Sequence, residues 1–207
     1  MIPSLAQRLA TSRVHALKMA IVATLQGLYP ECEVKAHPGR LDIADIVEKD
    51  MFRAPALAVA VTRLRPPERR LSGTRDLTVE LAVYVVVEDG PIIGANGEPQ
   101  LVYRDEIGAA LCDGLLQDLD FNPQFAAEDA RIDTRWGLED ISVPEQPEAK
   151  PLFTAVSFER GTAYYVVTWN QTLIGLDDPF MDMESPVPDD FEVTVVLPGD
   201  PDPEDAP

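Results

Sequence analysis

Apolar residues recur at helical spacing through the first 28 positions. Ile2, Leu5, Leu9, Val14, Leu17, Ile21, Leu25 and Leu28 stand three to five apart, which places them along one helical face. Pro3 suits a first turn and Pro30 stops the run, so one helix is expected over residues 2–28. The pattern then shortens. Val34 and Ala36 make a brief extended piece, broken by Pro38 and Gly39. Residues 41–52 return to helical spacing, with Ile43, Ile46 and Val47 turned inward.

At MFRAPALAVAV, residues 51–61, the period changes to two. Leu57, Val59 and Val61 fall on one face of a strand, and Ala56, Ala58 and Ala60 on the other. The thin alanine face is expected to admit the first helix at close range. The larger residues then need a cover of their own, from the second main helix or an adjacent subunit. A stronger alternation follows: Leu77, Val79, Leu81, Val83, Val85 and Val87 against Thr78, Glu80, Ala82, Tyr84 and Val86. GPIIGANGEPQ is rich in turn residues and is expected to be a hairpin or surface loop.

Asp105 is expected to cap a second main helix reaching Leu119, with Ile107, Leu111, Leu115 and Leu119 on one face. Irregular sequence runs on to Pro147. Two strands are then expected around Arg160-Gly161 in PLFTAVSFERGTAYYVVTWNQTL. Tyr164 and Tyr165 must point to opposite faces there, so one should reach a helix or a subunit interface. Trp136 and Trp169 are core candidates. Helices are few, and strands mostly follow one another directly. The expected class is α+β, with a mixed, mainly antiparallel sheet backed by a long N-terminal helix and a second long helix, rather than a doubly wound parallel sheet.

Charge divides the chain in two. Residues 177–207 hold eleven Asp or Glu, seven Pro and no Lys or Arg; the other 176 residues are far nearer balance, although the whole carries −19. The expected organisation is an α+β domain over residues 1–176 and an acidic, proline-rich C-terminal arm over 177–207. Such an arm cannot bury enough apolar surface to offset its ordering entropy. Within it, FEVTVVLP alternates like a strand, and a lone strand needs a sheet edge. Phe191, Val193 and Val195 are therefore interface candidates, as part of an edge-adding strand at 191–197. Five arginines, Arg63, Arg65, Arg69, Arg70 and Arg75, form the only concentrated positive charge. They are read as a loop between strands whose planar forks suit an acidic partner surface, such as the arm of a neighbouring subunit.

So negative a chain is a poor binder of free nucleic acid, where phosphate contacts dominate affinity. No apolar run approaches the ~20 residues that span a bilayer, and no signal peptide is evident, so a soluble product of the cytoplasm is expected. Cys32 and Cys112 are far apart and form no CxxC pair, which makes structural zinc improbable. Neither His15 nor His37 has a nucleophile or orienting partner at motif spacing. His37, in the AHPGR turn, is the one candidate for small-molecule catalysis, a remote one. GxSxG, P-loop and GxGxxG patterns are absent. No catalytic, cofactor or metal residues are assigned.

The order of elements, with HPGR and then the proline-initiated APALAVAV strand, a long central strand, a second helix and a closing hairpin, resembles the tail terminator family of Mu-like long-tailed bacteriophages, among the small tail-completion or neck proteins. The resemblance spans residues 1–176. It implies a non-enzymatic virion protein made in the host cytoplasm, a homo-oligomeric ring, typically a hexamer, that caps the tail tube and meets neck or connector proteins. The tail sheath is a further neighbour, and DNA would pass through the lumen without sequence-specific contact. A head-to-tail connector of the same virion is the alternative it allows. The acidic arm departs from the compact family pattern.

Overall fold

A computed structural model describes residues 4–40, 52–65, 68–69, 74–94, 97–120, 135–152 and 161–176. The short helix expected over 41–52 lies almost wholly outside the described residues, as do the acidic arm and its strand at 191–197.

The chain opens with two helices where one was expected. Helix α1 is Leu5–Ala10, and Ser4 caps it. The Ser4 hydroxyl accepts from the Gln7 backbone N–H at 3.2 Å, while the Gln7 side chain accepts from the Ser4 N–H at 2.7 Å, a reciprocal box that satisfies otherwise orphaned donors. The helix stops at Thr11, whose hydroxyl donates back to Gln7 O at 2.9 Å. Ser12 is extended and accepts from the His15 N–H, so α2, Arg13–Leu28, starts afresh. Two adjacent hydroxyl residues offered the backbone local partners in place of the helical ladder. The five-residue step from Leu9 to Val14 falls at this break.

Among the described residues the main sheet has six strands, five of them in the order β1-β2-β4-β8-β7. These five are β1 (Glu33–His37), β2 (Ala56–Leu64), β4 (Arg75–Glu88), β8 (Thr162–Leu176) and β7 (Glu145–Leu152). A two-residue strand, β3 (Glu68–Arg69), pairs with the start of β4. The β1–β2 pair is parallel and the other pairs are antiparallel. The chain is therefore an α+β protein with a mixed sheet.

The alternation of β2 and β4 sets two faces. Leu57 and Val59 join Val79, Leu81, Val83, Val85 and Val87, with Val167, Trp169 and Leu173 of β8, beneath Leu17, Ile21, Val22 and Leu25 of α2. Cys112, Leu115 and Leu119 of the next described helix, α3 (Arg104–Asp120), complete that core. Ala58, Ala60 and Ala82 lie on the opposite face with Tyr84 and Val166, against Phe52 and Leu152. The helix expected on the alanines thus sits on the leucine and valine face. Period two separates the faces but does not say which one a helix takes. Space between helix and sheet must be filled to native density, which branched side chains from both layers do. The alanines instead make room for aromatic rings: His37 lies 6.3 Å from both Phe52 and Tyr84.

Asp105 is not the cap of α3; it lies in the first turn. Glu106 accepts from the Tyr103 N–H at 3.2 Å, and Asp89, from beyond β4, accepts from the Arg104 N–H at 2.8 Å. Acidic groups suit this positive helix end. Tyr165 turns toward α3, and its ring occupies the space where a Cβ on Gly108 would stand; Tyr164 is buried on the other face with Ala56 and Val86.

Tyr29, which ends α2, donates to Asp118 Oδ2 at 2.6 Å and ties α2 to α3. Burial first, then the bond to and charge of Asp118, push the phenol well above its ordinary pKa. Tyr29→Phe should lower unfolding free energy by about 1 kcal/mol at neutral pH in urea titrations. Because the folded pKa is raised, this residue's contribution is whole below the unfolded value of about 10 and fades as pH rises through the folded one. The phenylalanine variant should lack that part of the alkaline loss; an identical alkaline profile would sink the assignment.

Strand β7 begins at Glu145, six residues before the expected strand start at Pro151, and residues 153–160 lie outside the described set. Pro147 and Pro151 hid it, and of its residues Ala149 packs against the helix-side core and Leu152 against the alanine face. Before it, residues 135–142 line the end of β8. Ile141 bridges Leu173, and Ser142 N–H donates to Thr172 O at 2.9 Å. Arg13 holds this segment, donating to Glu139 O, Asp140 O and Ile174 O at 2.8 to 3.0 Å. Beneath it, Gln171 is 0% exposed. Its Oε1 accepts from Trp136 Nε1 and Trp169 Nε1, both at 3.0 Å, and its Nε2 donates to Ser142 O at 3.0 Å.

Candidate interaction surface

Three of the five arginines lie in strands, not in a loop. Arg63 is on β2, Arg69 on β3 and Arg75 on β4; Arg65 follows β2, and Arg70 lies outside the described residues. The strands run on because Arg63 and Leu64 pair with Glu80 and Val79 across a bulge after Val61. Glu80 gathers the positive charge. Arg65 donates to its Oε1 from Nε at 3.1 Å and from Nη2 at 2.9 Å, and Arg63 stands 3.8 Å from the same oxygen. These are solvent-facing pairs, each worth about 1 kcal/mol or less. The acid that Arg63 and Arg65 meet in this chain is thus an intrachain one. Phe191, Val193 and Val195 lie outside the described residues.

The candidate chemical groups lie apart. His15 is exposed on α2. His37 Nδ1 is 2.9 Å from Gly39 O, a bond that requires the proton on Nδ1 and closes the turn. Burial, with help from Glu31, pushes the Cys32 thiol up, and burial alone pushes Cys112 to about 11. Neither is a thiolate nucleophile at neutral pH. Among the described residues no three His, Cys, Asp or Glu gather around a metal-sized site, and no helix is long and apolar enough to cross a membrane.

Exposed apolar groups mark two other places. Helix α1 buries none of its described side chains, and Leu5 is 83% and Leu9 58% exposed. The second place is the hairpin of β5 (Gly90–Ile93) and β6 (Pro99–Val102), which among the described residues pairs only with itself. It carries Ile93 at 68% and Leu101 at 64%, with Tyr103 also exposed beside it. At its base a groove of about 520 Å³ runs between the hairpin, α3 and the entry to β2. Pro55, Pro91, Ile92, Ile93, Ile107 and Leu111 form its apolar wall, and Glu31, Glu88 and Asp89 its acidic rim. A two-stranded ribbon is marginal in water without a further surface to pack on.

The turn composition of residues 90–100 predicts a hairpin or surface loop, and a hairpin forms there; sequence reasoning missed the exposure of its isoleucines and of α1, although adjacent Ile92 and Ile93 in a polar setting signalled contact. By spacing alone, Leu5 and Leu9 belong to the apolar stripe of one continuous helix. Charge gave another signal: the first 30 residues contain Arg8, Arg13 and Lys18 and no Asp or Glu, in a chain of net −19.

The fold and these surfaces define an α+β protein with exposed apolar groups clustered at a capped N-terminal helix and a ribbon-edged groove, while Met19, Leu28, Leu64 and Val143 are exposed outside these two elements. No protein-family model matches the sequence, and no curated protein matches it.

Proposed function

We propose that the chain is a structural subunit of a phage-type tail, a terminator that assembles as a ring on the last layer of tail tube and presents a surface to the neck. The observation that carries this reading is the placement of large apolar side chains, exposed at α1 and at the β5–β6 hairpin of one subunit. Two different sticky surfaces on one chain are what a head-to-tail ring requires. The order of elements supports it too: helix, short extended piece, APALAVAV strand, long central strand, second helix and closing strand, now seen as a mixed sheet with helices on one face.

Purified protein mixed with isolated tail tubes should appear in negative stain as a ring at one tube end, and should stop further tube growth. Density beside the portal instead would assign the chain to the connector. Absence from both positions would refute a tail or neck role.

A further inference from the structure

We infer that α1 of one copy docks in the acidic-rimmed groove of the next, making a head-to-tail contact between two copies of this chain. This names the contact within the ring reading above and rests on that reading only for the closed form of the assembly.

Length shows that the groove cannot take its own α1. Arg13, the first residue of α2, is bonded to Ile174 O near the end of β8. That end of β8 lies beside the start of β4, with Leu176 opposite Arg75. Glu88 and Asp89 of the groove lie at the far end of β4. A strand of 14 residues spans about 45 Å. Helix α1, six residues long, spans only about 9 Å. The apolar helix and the apolar groove thus lie at opposite ends of one subunit, as a heterologous contact needs.

Shape and charge name the occupant. Leu5 and Leu9 are one helical turn apart on one face, and a groove of about 520 Å³ has room for both side chains. Arg8 is on the same helix, in a 30-residue segment free of acids, and the groove rim carries Glu31, Glu88 and Asp89, of which Asp89 also faces Arg104 at 3.7 Å and Glu88 accepts from the Thr162 hydroxyl. For a chain of net −19, copies repel one another unless a local contact reverses the sign. Helix α1 does so. A six-residue helix is also below the length that is stable alone in water, so its cap and its exposed leucines are explained by a partner.

Sedimentation velocity of the full chain at micromolar concentrations should show concentration-dependent species larger than a monomer. Leu5→Glu/Leu9→Glu and, separately, Ile93→Glu should each give monomers, with circular dichroism and thermal midpoint close to wild type because these side chains are exposed. Mixing the two variants leaves one sound junction per pair, so a one-to-one dimer that grows no further is expected. A wild-type chain that stays monomeric, variants that assemble like wild type, or a mixture that stays monomeric would each overturn the contact. If the wild type assembles this way yet ignores tail tubes, the terminator reading fails and the contact stands. If the Leu5→Glu/Leu9→Glu variant caps tubes as well as wild type, the contact fails and the terminator reading stands.

Discussion

Gln171→Leu should lower the unfolding free energy by about 4 kcal/mol, the largest loss expected from a single substitution that preserves volume. The side chain holds three partners from three places: the indole of Trp136, the indole of Trp169 and the carbonyl of Ser142. Leucine leaves all three without a mate. Each buried polar group left unpaired costs about 1–3 kcal/mol; Trp136, only half-buried, recovers some of this through water. Both tryptophans of the chain report on the site, so denaturant titration followed by their fluorescence should show a lower midpoint. A midpoint change worth less than about 1 kcal/mol would mean that the amide contributes little.

Gly108→Ala should destabilise by about 2–3 kcal/mol, against the usual sign. Inside an exposed helix, glycine to alanine gains about 0.5–1 kcal/mol. Here the new methyl would stand within the ring of Tyr165, and helix and strand would have to part. Gly27→Ala in α2 is the control: nothing lies within 4 Å of its added Cβ, so it should stabilise slightly. Tyr165→Ala costs packing when made alone, but combined with Gly108→Ala the total should fall well short of the sum, since the methyl enters the vacated space. Additive losses would show that the ring and the glycine do not meet.

The sequence exposed the sheet better than the helices that cover it. In β2, β4 and β8 the alternation of branched apolar residues with smaller or polar ones is set by the pleat, so neighbouring residues alone reveal it. The choice of face needed the third dimension. Alanines at 56, 58 and 60 looked like room for a helix and turned out to be room for Tyr84 and Phe52. The N-terminal helix broke for a reason visible in two letters, Thr11 and Ser12, but each hydroxyl also occurs within unbroken helices, and only the completed caps decide. Strand β7 has two prolines and three charged residues among eight, and its membership of the sheet comes from β8 beside it.

The candidate surface was legible in its charges and obscure in its apolar part. The arginines at 63, 65 and 75 were picked out by number, yet Glu80, which receives two of them, is 15 residues from Arg65 and became their neighbour only through the β2–β4 register. Leu5, Leu9, Ile92 and Ile93 are ordinary core residues by type. Their exposure is a property of the finished fold: Leu5, Leu9 and Ile93 stand largely open and Ile92 partly so.

The two edge strands of the described sheet bear on how the chain behaves at high concentration. Pro147 and Pro151 remove backbone donors from β7, and Glu145, Glu148 and Lys150 make its rim charged. At the other edge, β1 is five residues long, and Gln26 Nε2 caps its Val34 carbonyl at 3.2 Å. Among the described residues, neither rim is an open template for cross-β growth. Growth of one chain onto another through a backbone ladder is therefore disfavoured at both described rims, which lowers the hazard of fibrils at high concentration.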